Sequence, residues 1–504
     1  MPLRIGGPAI PDRARRVLLV AAMEIPHARR VTDLPAPSSL AALRARYGPR
    51  YRWYVLLTVM MGTMASVMAS TIVNVAVPDM SRHFTLGQEQ AQWLSAGFMA
   101  AMTVSMPVTP WLLGRFGYRA TYIGAIVLLL IGSIAGGVAN DYPLVLVMRV
   151  AEGLAAGILQ PIPAIIILRG FESGEQGKAM GLFGAGVVLA PALGPSIGGV
   201  LVEWFGWRSI FFVASPFCLI ALPLAARLLP HSAPGGGAVG DSPRLDVPGL
   251  VLIACAILLG LNGLSLLQGA DARFGLMLIA ASLVLLGVFV VVQKRTTHPL
   301  IRLELFTHPA FMRGAIVAFI YGAALFGSTY LLPVFMQMAL ALPPSQAGAV
   351  LLPAGIVLAV VIPLVGRSST VANRSRYIVV GLALLAVSFA AMRFIGLGTA
   401  LGWIVALAII GRVGLGCILP SLNLAAMEGI GTGLIAQGTS LINLLRQLGG
   451  ASGVSLMGVF LAWRLQVHAD APVAAFHEAF VLLGVICSLA VVAAWGMRPV
   501  RRRR

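Results

Sequence analysis

The sequence predicts an all-α polytopic membrane protein with fourteen transmembrane helices: two six-helix bundles and a two-helix hairpin inserted between them. Three observations carry this. The 504 residues are 59% apolar and 11% charged, against about 25% charged in a typical soluble domain, so lipid must solvate much of the chain. The apolar residues fall into continuous runs near 54–77, 91–113, 120–139, 144–168, 178–202, 208–228, 248–268, 274–292, 312–337, 346–366, 376–396, 400–426, 434–463 and 475–496. A spanning helix needs about 20 such residues, and runs without alternation exclude a β-barrel. Third, the basic residues fall on one side. With both termini inside, 28 Lys and Arg lie on the inner side and five, Arg82, Arg208, Arg273, Arg393 and Arg464, on the outer side. That is a positive-inside bias, and an odd number of spans would destroy it.

In chain order, residues 1–51 read as a cytoplasmic tail, with 1–50 expected to lack fixed structure. Arg13–Arg16 and the short apolar stretch 17–23 imitate a signal peptide, but the stretch is at the short end for one, and Met23 is an alternative start. Residues 52–228 form the first bundle. The segment 229–247, rich in Gly and Pro, is a flexible cytoplasmic linker. Residues 248–292 are the inserted helices 7 and 8, 293–311 a basic cytoplasmic loop, 312–496 the second bundle, and 497–504 a basic cytoplasmic tail. Two groups of six are the layout of a repeated transporter.

The net charge of +19 does not indicate nucleic-acid binding. Its basic residues sit in tails and short loops, with no basic stripe interleaved with aromatics. They suit an anionic lipid surface. Cys218, Cys255, Cys417 and Cys487 all lie in apolar runs and form no CxxC, so they read as small buried side chains. Neither Lys178 nor Lys294 ends a phosphate-binding loop, and no HExxH occurs. Gly194 to Gly198 matches GxSxG but falls inside an apolar run, so it is read as chance. An enzyme is not expected, nor a metal or other cofactor.

Ionisable groups inside lipid are costly, about 2.5–3.5 kcal/mol each, and mark function. Four are expected there: Arg149 and Glu152 in span 4, Arg412 in span 12 and Arg446 in span 13. Arg149 and Glu152 are three apart and share a helix face. They could be a structural ion pair. They could also be a proton-coupling pair, since burial and the neighbouring cation act oppositely on the carboxyl and small movements would change its protonation. Thr71, Asn74, Gln160, Gln337, Asn423, Asn443 and Gln447 are polar within spans. Each is a candidate for the substrate cavity, with Arg412 and Arg446, or for inter-helix hydrogen bonding. Span 5 carries Gly181, Ala190, Gly194, Pro195, Gly198 and Gly199, a density that permits close helix approach and, at Pro195, a kink.

That span resembles the antiporter signature of the major facilitator superfamily, with Ala190 in place of its central glycine. Six further pieces resemble the fourteen-helix EmrB/QacA-type drug:proton antiporters in order: Thr71 to Pro78, Arg149 to Gly157, Trp207 to Phe211, Leu332 to Gln337, Gln346 to Pro353 and Arg446 to Gly450. The resemblance covers about residues 52–496. It implies the major facilitator fold and alternating access driven by a proton gradient, without a bound cofactor. It also implies export of small amphipathic compounds from the bacterial cytoplasmic (inner) membrane, with both termini cytoplasmic. Lipid and a small-molecule substrate are the expected partners. Some relatives also engage a periplasmic adaptor and an outer-membrane channel. The loop after span 2 corresponds to the family's gating loop, through Arg115, Gly117 and Arg119.

Three departures bear on mechanism. The family's span 1 aspartate is Ala69 here, the acid of the gating loop is missing, and Glu152 replaces a glutamine. Glu152 is therefore expected to take over proton coupling. Alternatives remain: an exporter of one metabolite, anion or lipid on the same scaffold, or a transporter-like sensor or scaffold that moves no solute.

Overall fold

The computed structural model describes residues 40–232, 244–267, 271–468 and 470–497. Every regular element in them is helical. In order they are α1 Leu40–Tyr47, α2 Tyr51–His83, α3 Gln88–Ser105, α4 Thr109–Val138, α5 Tyr142–Leu159, α6 Ile162–Gly170, α7 Ser173–Phe205, α8 Ser209–Phe212, α9 Ser215–Leu228, α10 Val247–Leu266, α11 Ala272–Arg295, α12 Pro309–Val334, α13 Pro344–Ser368, α14 Arg374–Ala391, α15 Leu401–Ala426, α16 Ile435–Val467 and α17 Pro472–Trp495. Short 3₁₀ turns, and a π turn at Phe335–Ala339 that extends α12, join some of them.

The expected tail differs from the structure at its end. Residues 40–50 are helical, as α1 and the turn Gly48–Arg50, and lead directly into α2. Most of the tail, the centre of the 229–247 linker and the residues after 497 lie outside the described residues.

Among the described residues, twelve stretches are long and apolar enough to cross a membrane. One of them, Gln90–Val138, is 49 residues long and is interrupted at Gly117, whose backbone turns to φ 80 and ψ 171. The break is local: Thr121 Oγ1 on its far side donates to Leu112 O on its near side at 2.9 Å. Helix α7, 33 residues long, is not among the twelve stretches.

Helices α2–α9 form one group, with α2 against α3, α5, α7 and α9, and α4 against α5. Helices α12–α17 form the other, with α12 against α16 and α17, and α14 against α15 and α17. Glycine sets the closeness. A Cβ on Gly153 or Gly157 of α5 would strike backbone atoms of Phe98 or Met102 in α3, and one on Gly449 or Gly453 of α16 would strike Phe319 or Ala323 in α12. Without a hydrophobic drive between helices in lipid, such backbone contact supplies the packing energy.

Helices α10 and α11 pack chiefly on each other, with Gly263 against Gly275 and Ser282 Oγ donating to Ala256 O at 2.6 Å. Their basic-loop end is tied by Asp246. Its carboxylate accepts from Gly249 N at 2.9 Å, Gln293 Nε2 at 2.5 Å and Leu300 N at 3.3 Å, while Gln293 Oε1 accepts from Ile301 N at 3.0 Å. The loop so held places Leu300 and Ile301 beside Pro107 and Pro110 of the first group and Gln437–Leu444 of the second.

The two groups meet at the end that carries the basic loops. There Gly177 and Gly181 of α7 lie against Gly366 of α13, and Arg169 Nη2 donates to Thr432 O at 2.8 Å. At the opposite end, Trp204, Phe205, Phe394, Trp403 and Trp463 project outward, and Tyr54, Phe116 and Trp495 do so near the basic end. Two aromatic rings of this kind sit at the two water–lipid boundaries.

Candidate functional site

Helix α5 begins at Asp141, whose side chain caps Leu144 N at 2.9 Å, with Pro143 in the first turn. That start sets the phase that points Arg149 and Glu152 together into the first group. Arg149 Nη1 meets Glu152 Oε2 at 2.6 Å, and the side chains are 2% and 1% exposed. Ser133 Oγ of α4 donates to Glu152 Oε1 at 2.8 Å. Arg149 also donates through Nε to Leu94 O of α3 at 3.1 Å and through Nη1 to Ala69 O of α2 at 3.2 Å, and its guanidinium lies 4.4 Å from the centre of the Phe98 ring. Its Nη2 has no hydrogen-bond partner among the described residues. The pair thus ties four helices. It contacts the backbone at Ala69, where the antiporter family that the sequence resembles usually carries an aspartate.

A second polar layer joins the two groups. Arg446 Nη2 of α16 donates to Gln160 Oε1, after α5, at 3.2 Å and approaches Asn443 Oδ1 at 3.4 Å. Gln447 Nε2 lies 3.7 Å from Met99 Sδ, and Gln160 Nε2 lies 3.9 Å from Met102 Sδ. Among the described residues, Arg412 of α15 reaches only Thr329 Oγ1 of α12, at 3.4 Å. Arg446, Gln160, Asn443 and Gln447 therefore belong together.

The remaining candidates separate. Asn74 is exposed and accepts from Ser95 Oγ at 2.7 Å. Thr71 Oγ1 bonds its own helix at Val67 O, 3.2 Å, as inter-turn bonding predicts for a helical threonine. Gln337 is exposed on the π turn, and Asn423 is buried near the basic end of α15.

The glycine-rich stretch of α7 divides its work. Gly181 faces α13 of the other group, with Gly366 Cα 2.9 Å from a Cβ built on it. Ala190 is fully buried with Val67 and Met68. Gly194 and Gly198 face α2, where a Cβ would meet Thr71 Oγ1 at 2.7 Å and Ile72 Cγ1 at 2.6 Å. Gly199 faces open space. The backbone is helical through Pro195, whose side chain lies outside the described residues. The GxSxG match thus lies within a helix rather than on a strand-to-helix turn. In the loop after span 2, Gly117 takes the left-handed φ that favours glycine, Arg115 is exposed, and Arg119 is half-buried.

Sequence reasoning missed three participants. Ser133, and Tyr321 of α12, whose neighbour Gly322 lies against the Arg446 carbonyl, sit in runs where one hydroxyl gives no signal. Tyr122 is the third: its hydroxyl accepts from Gly62 N at 3.1 Å and donates to Thr58 O at 2.7 Å, inserting into the hydrogen-bond ladder of α2. Gly62 permits this, since a Cβ there would lie 2.5 Å from the hydroxyl.

Comparison with known proteins agrees with this architecture. The chain is 31% identical over 447 residues to a multidrug resistance protein B homolog of Mycobacterium tuberculosis, covering 86% of this chain and 82% of that one. It is 24% identical to the lincomycin resistance protein LmrB of Listeria monocytogenes, over 80% and 85% of the two chains, and 24% identical to the riboflavin transporter RibZ of Clostridioides difficile, over 88% and 97%. The crystal structure of the human organic anion transporter MFSD10 (TETRAN) shares the fold, with a TM-score of 0.64 and 15% identity over 86% and 99% of the chains. The Major Facilitator Superfamily profile matches residues 59–454, and with the two helical groups and their glycine contacts this places the chain in that superfamily of membrane transporters.

Proposed function

We propose that this protein is a secondary active exporter of small amphipathic compounds, of the EmrB/QacA type, working by alternating access with proton antiport. The observation that carries it is the asymmetry of contact between the groups. Small residues of α7 and α13 close the basic end, while the polar layer around Arg446 and Gln160 lies deeper, between the groups. That is what one state of a rocking transporter requires. The multidrug- and lincomycin-resistance relatives support export of drugs. The riboflavin transporter among the relatives favours a second reading, export of one metabolite.

Fourteen crossings follow if Gly117 divides Gln90–Val138 into two spans and α7 is counted as another, making α10 and α11 the inserted hairpin. The positive-inside bias then puts the basic end in the cytoplasm of a bacterium, with both termini there. A proton gradient is the energy source, no cofactor takes part, and no enzymatic step is assigned. A periplasmic adaptor and outer-membrane channel are compatible partners.

Glu152 is the proposed proton carrier. Neutralising it would release Arg149 from one of its partners while the Ala69 and Leu94 carbonyls retain it, which shifts α5 relative to α2 and α3. The test is pH-gradient-driven uptake into inverted membrane vesicles. Glu152→Gln should keep substrate binding and lose the dependence on the gradient. An unchanged dependence would remove Glu152 from the coupling mechanism.

A further inference from the structure

The second group carries two arginines in mid-helix and, among the described residues, neither makes an ion pair. Arg412 is the twelfth residue of α15 and Arg446 the twelfth of α16. Arg149 shows how this chain satisfies a buried cation when it needs no ligand: with a carboxylate at 2.6 Å and two carbonyls. Among the described residues Arg446 has only two amide oxygens, of Gln160 and Asn443, and Arg412 only a threonine hydroxyl at 3.4 Å. Both guanidinium groups are electrostatic neighbours of one buried side chain, Tyr321 of α12. A Cβ on Gly322, beside it, would strike the Arg446 carbonyl, so α12 and α16 are in backbone contact at this level.

Two cations at mid-membrane depth without a carboxylate are costly unless something supplies the negative charge. Charge-assisted hydrogen bonds from arginine to a planar oxyanion are the strongest way to supply it. The Gln160 contact places Arg446 at the boundary of the two groups, where alternation would expose it. Met99 and Met102 line the same boundary with flexible, polarisable apolar surface.

We propose that Arg412 and Arg446, with the Tyr321 hydroxyl, form a binding site for an acidic head group, a carboxylate, sulfonate or phosphate, on a substrate whose apolar body lies along Met99 and Met102. This rests on the exporter reading and narrows its substrates to amphipathic anions.

The test uses the full chain in phosphatidylcholine nanodiscs and in proteoliposomes, with three probes of one shape: pyrenebutyrate, its neutral amide and pyrenylbutylammonium. In the discs, pyrenebutyrate should bind about tenfold or more tighter than either analogue, as one charge-assisted bond implies. Arg412→Gln and Arg446→Gln should each remove that preference, Arg412→Lys should keep part of it, and Tyr321→Phe should weaken it a few-fold. Variants are compared only where they elute as the parent does, and the lysine and phenylalanine variants remain if a glutamine variant misfolds. Equal or tighter binding of the amide or the ammonium overturns the proposal, as does a carboxylate preference that survives every substitution. Binding and movement separate the two readings. If pyrenebutyrate binds selectively but is not moved in proteoliposomes, the site stands and the exporter reading falls. If solutes are moved without any preference for the acid, the exporter reading stands and the site falls.

Discussion

At the scale of single residues, the chain treats its buried charges in two ways. Arg149 and Glu152 are enclosed and bonded to each other, to Ser133 and to two backbone carbonyls. Removing one member strands the other, which costs about 3–5 kcal/mol. Glu152→Ala should therefore lower the melting temperature of the detergent-solubilised protein markedly. The double substitution of Arg149 and Glu152 by leucine should recover much of the loss, because no charge is left unpaired. If the single and double variants melted alike, the pair would contribute packing and not electrostatics. That the two residues share a face was legible from their spacing. That Ser133 and the Ala69 carbonyl complete the cluster was not, because those partners lie 19 and 80 residues away and a serine or alanine in an apolar run looks like any other.

At the scale of helices, α7 shows how one glycine-rich stretch serves two interfaces. Gly177 and Gly181 meet α13 across the boundary between the groups, while Gly194 and Gly198 meet α2 within the first group. A leucine at Gly194 would drive into Thr71, so Gly194→Leu should abolish dye efflux while the amount of protein in the membrane fraction stays near that of the parent. Efflux at the parental rate would show that α7 does not need its close approach to α2. The density of small residues was plain in the sequence, and so was their meaning as a close contact. Which glycine faces which helix depends on the roll of α7 about its axis, and helices of every roll share the same composition.

At the scale of the whole molecule, the two groups, their joining helices and the closed basic end make a testable topology. In a background with the four native cysteines replaced, single cysteines at Ala120 and Asn140 should label from opposite sides of the membrane, as should those at Gly174 and Glu203. Labelling of either pair from one side would remove a crossing from the proposed fourteen. Composition, run length and the placement of basic residues were enough, without any structure, to establish a helical membrane protein with many spans. Lipid demands long apolar segments with their backbone bonds made internally, and that demand is written locally in the chain. Helix faces, the joining of Arg446 to Gln160 across 286 residues, the insertion of Tyr122 into α2 and the end at which the groups close were decided only by the tertiary structure. Each depends on which helices become neighbours, and in a solvent as apolar as the helices themselves, hydrophobicity carries no information about that choice.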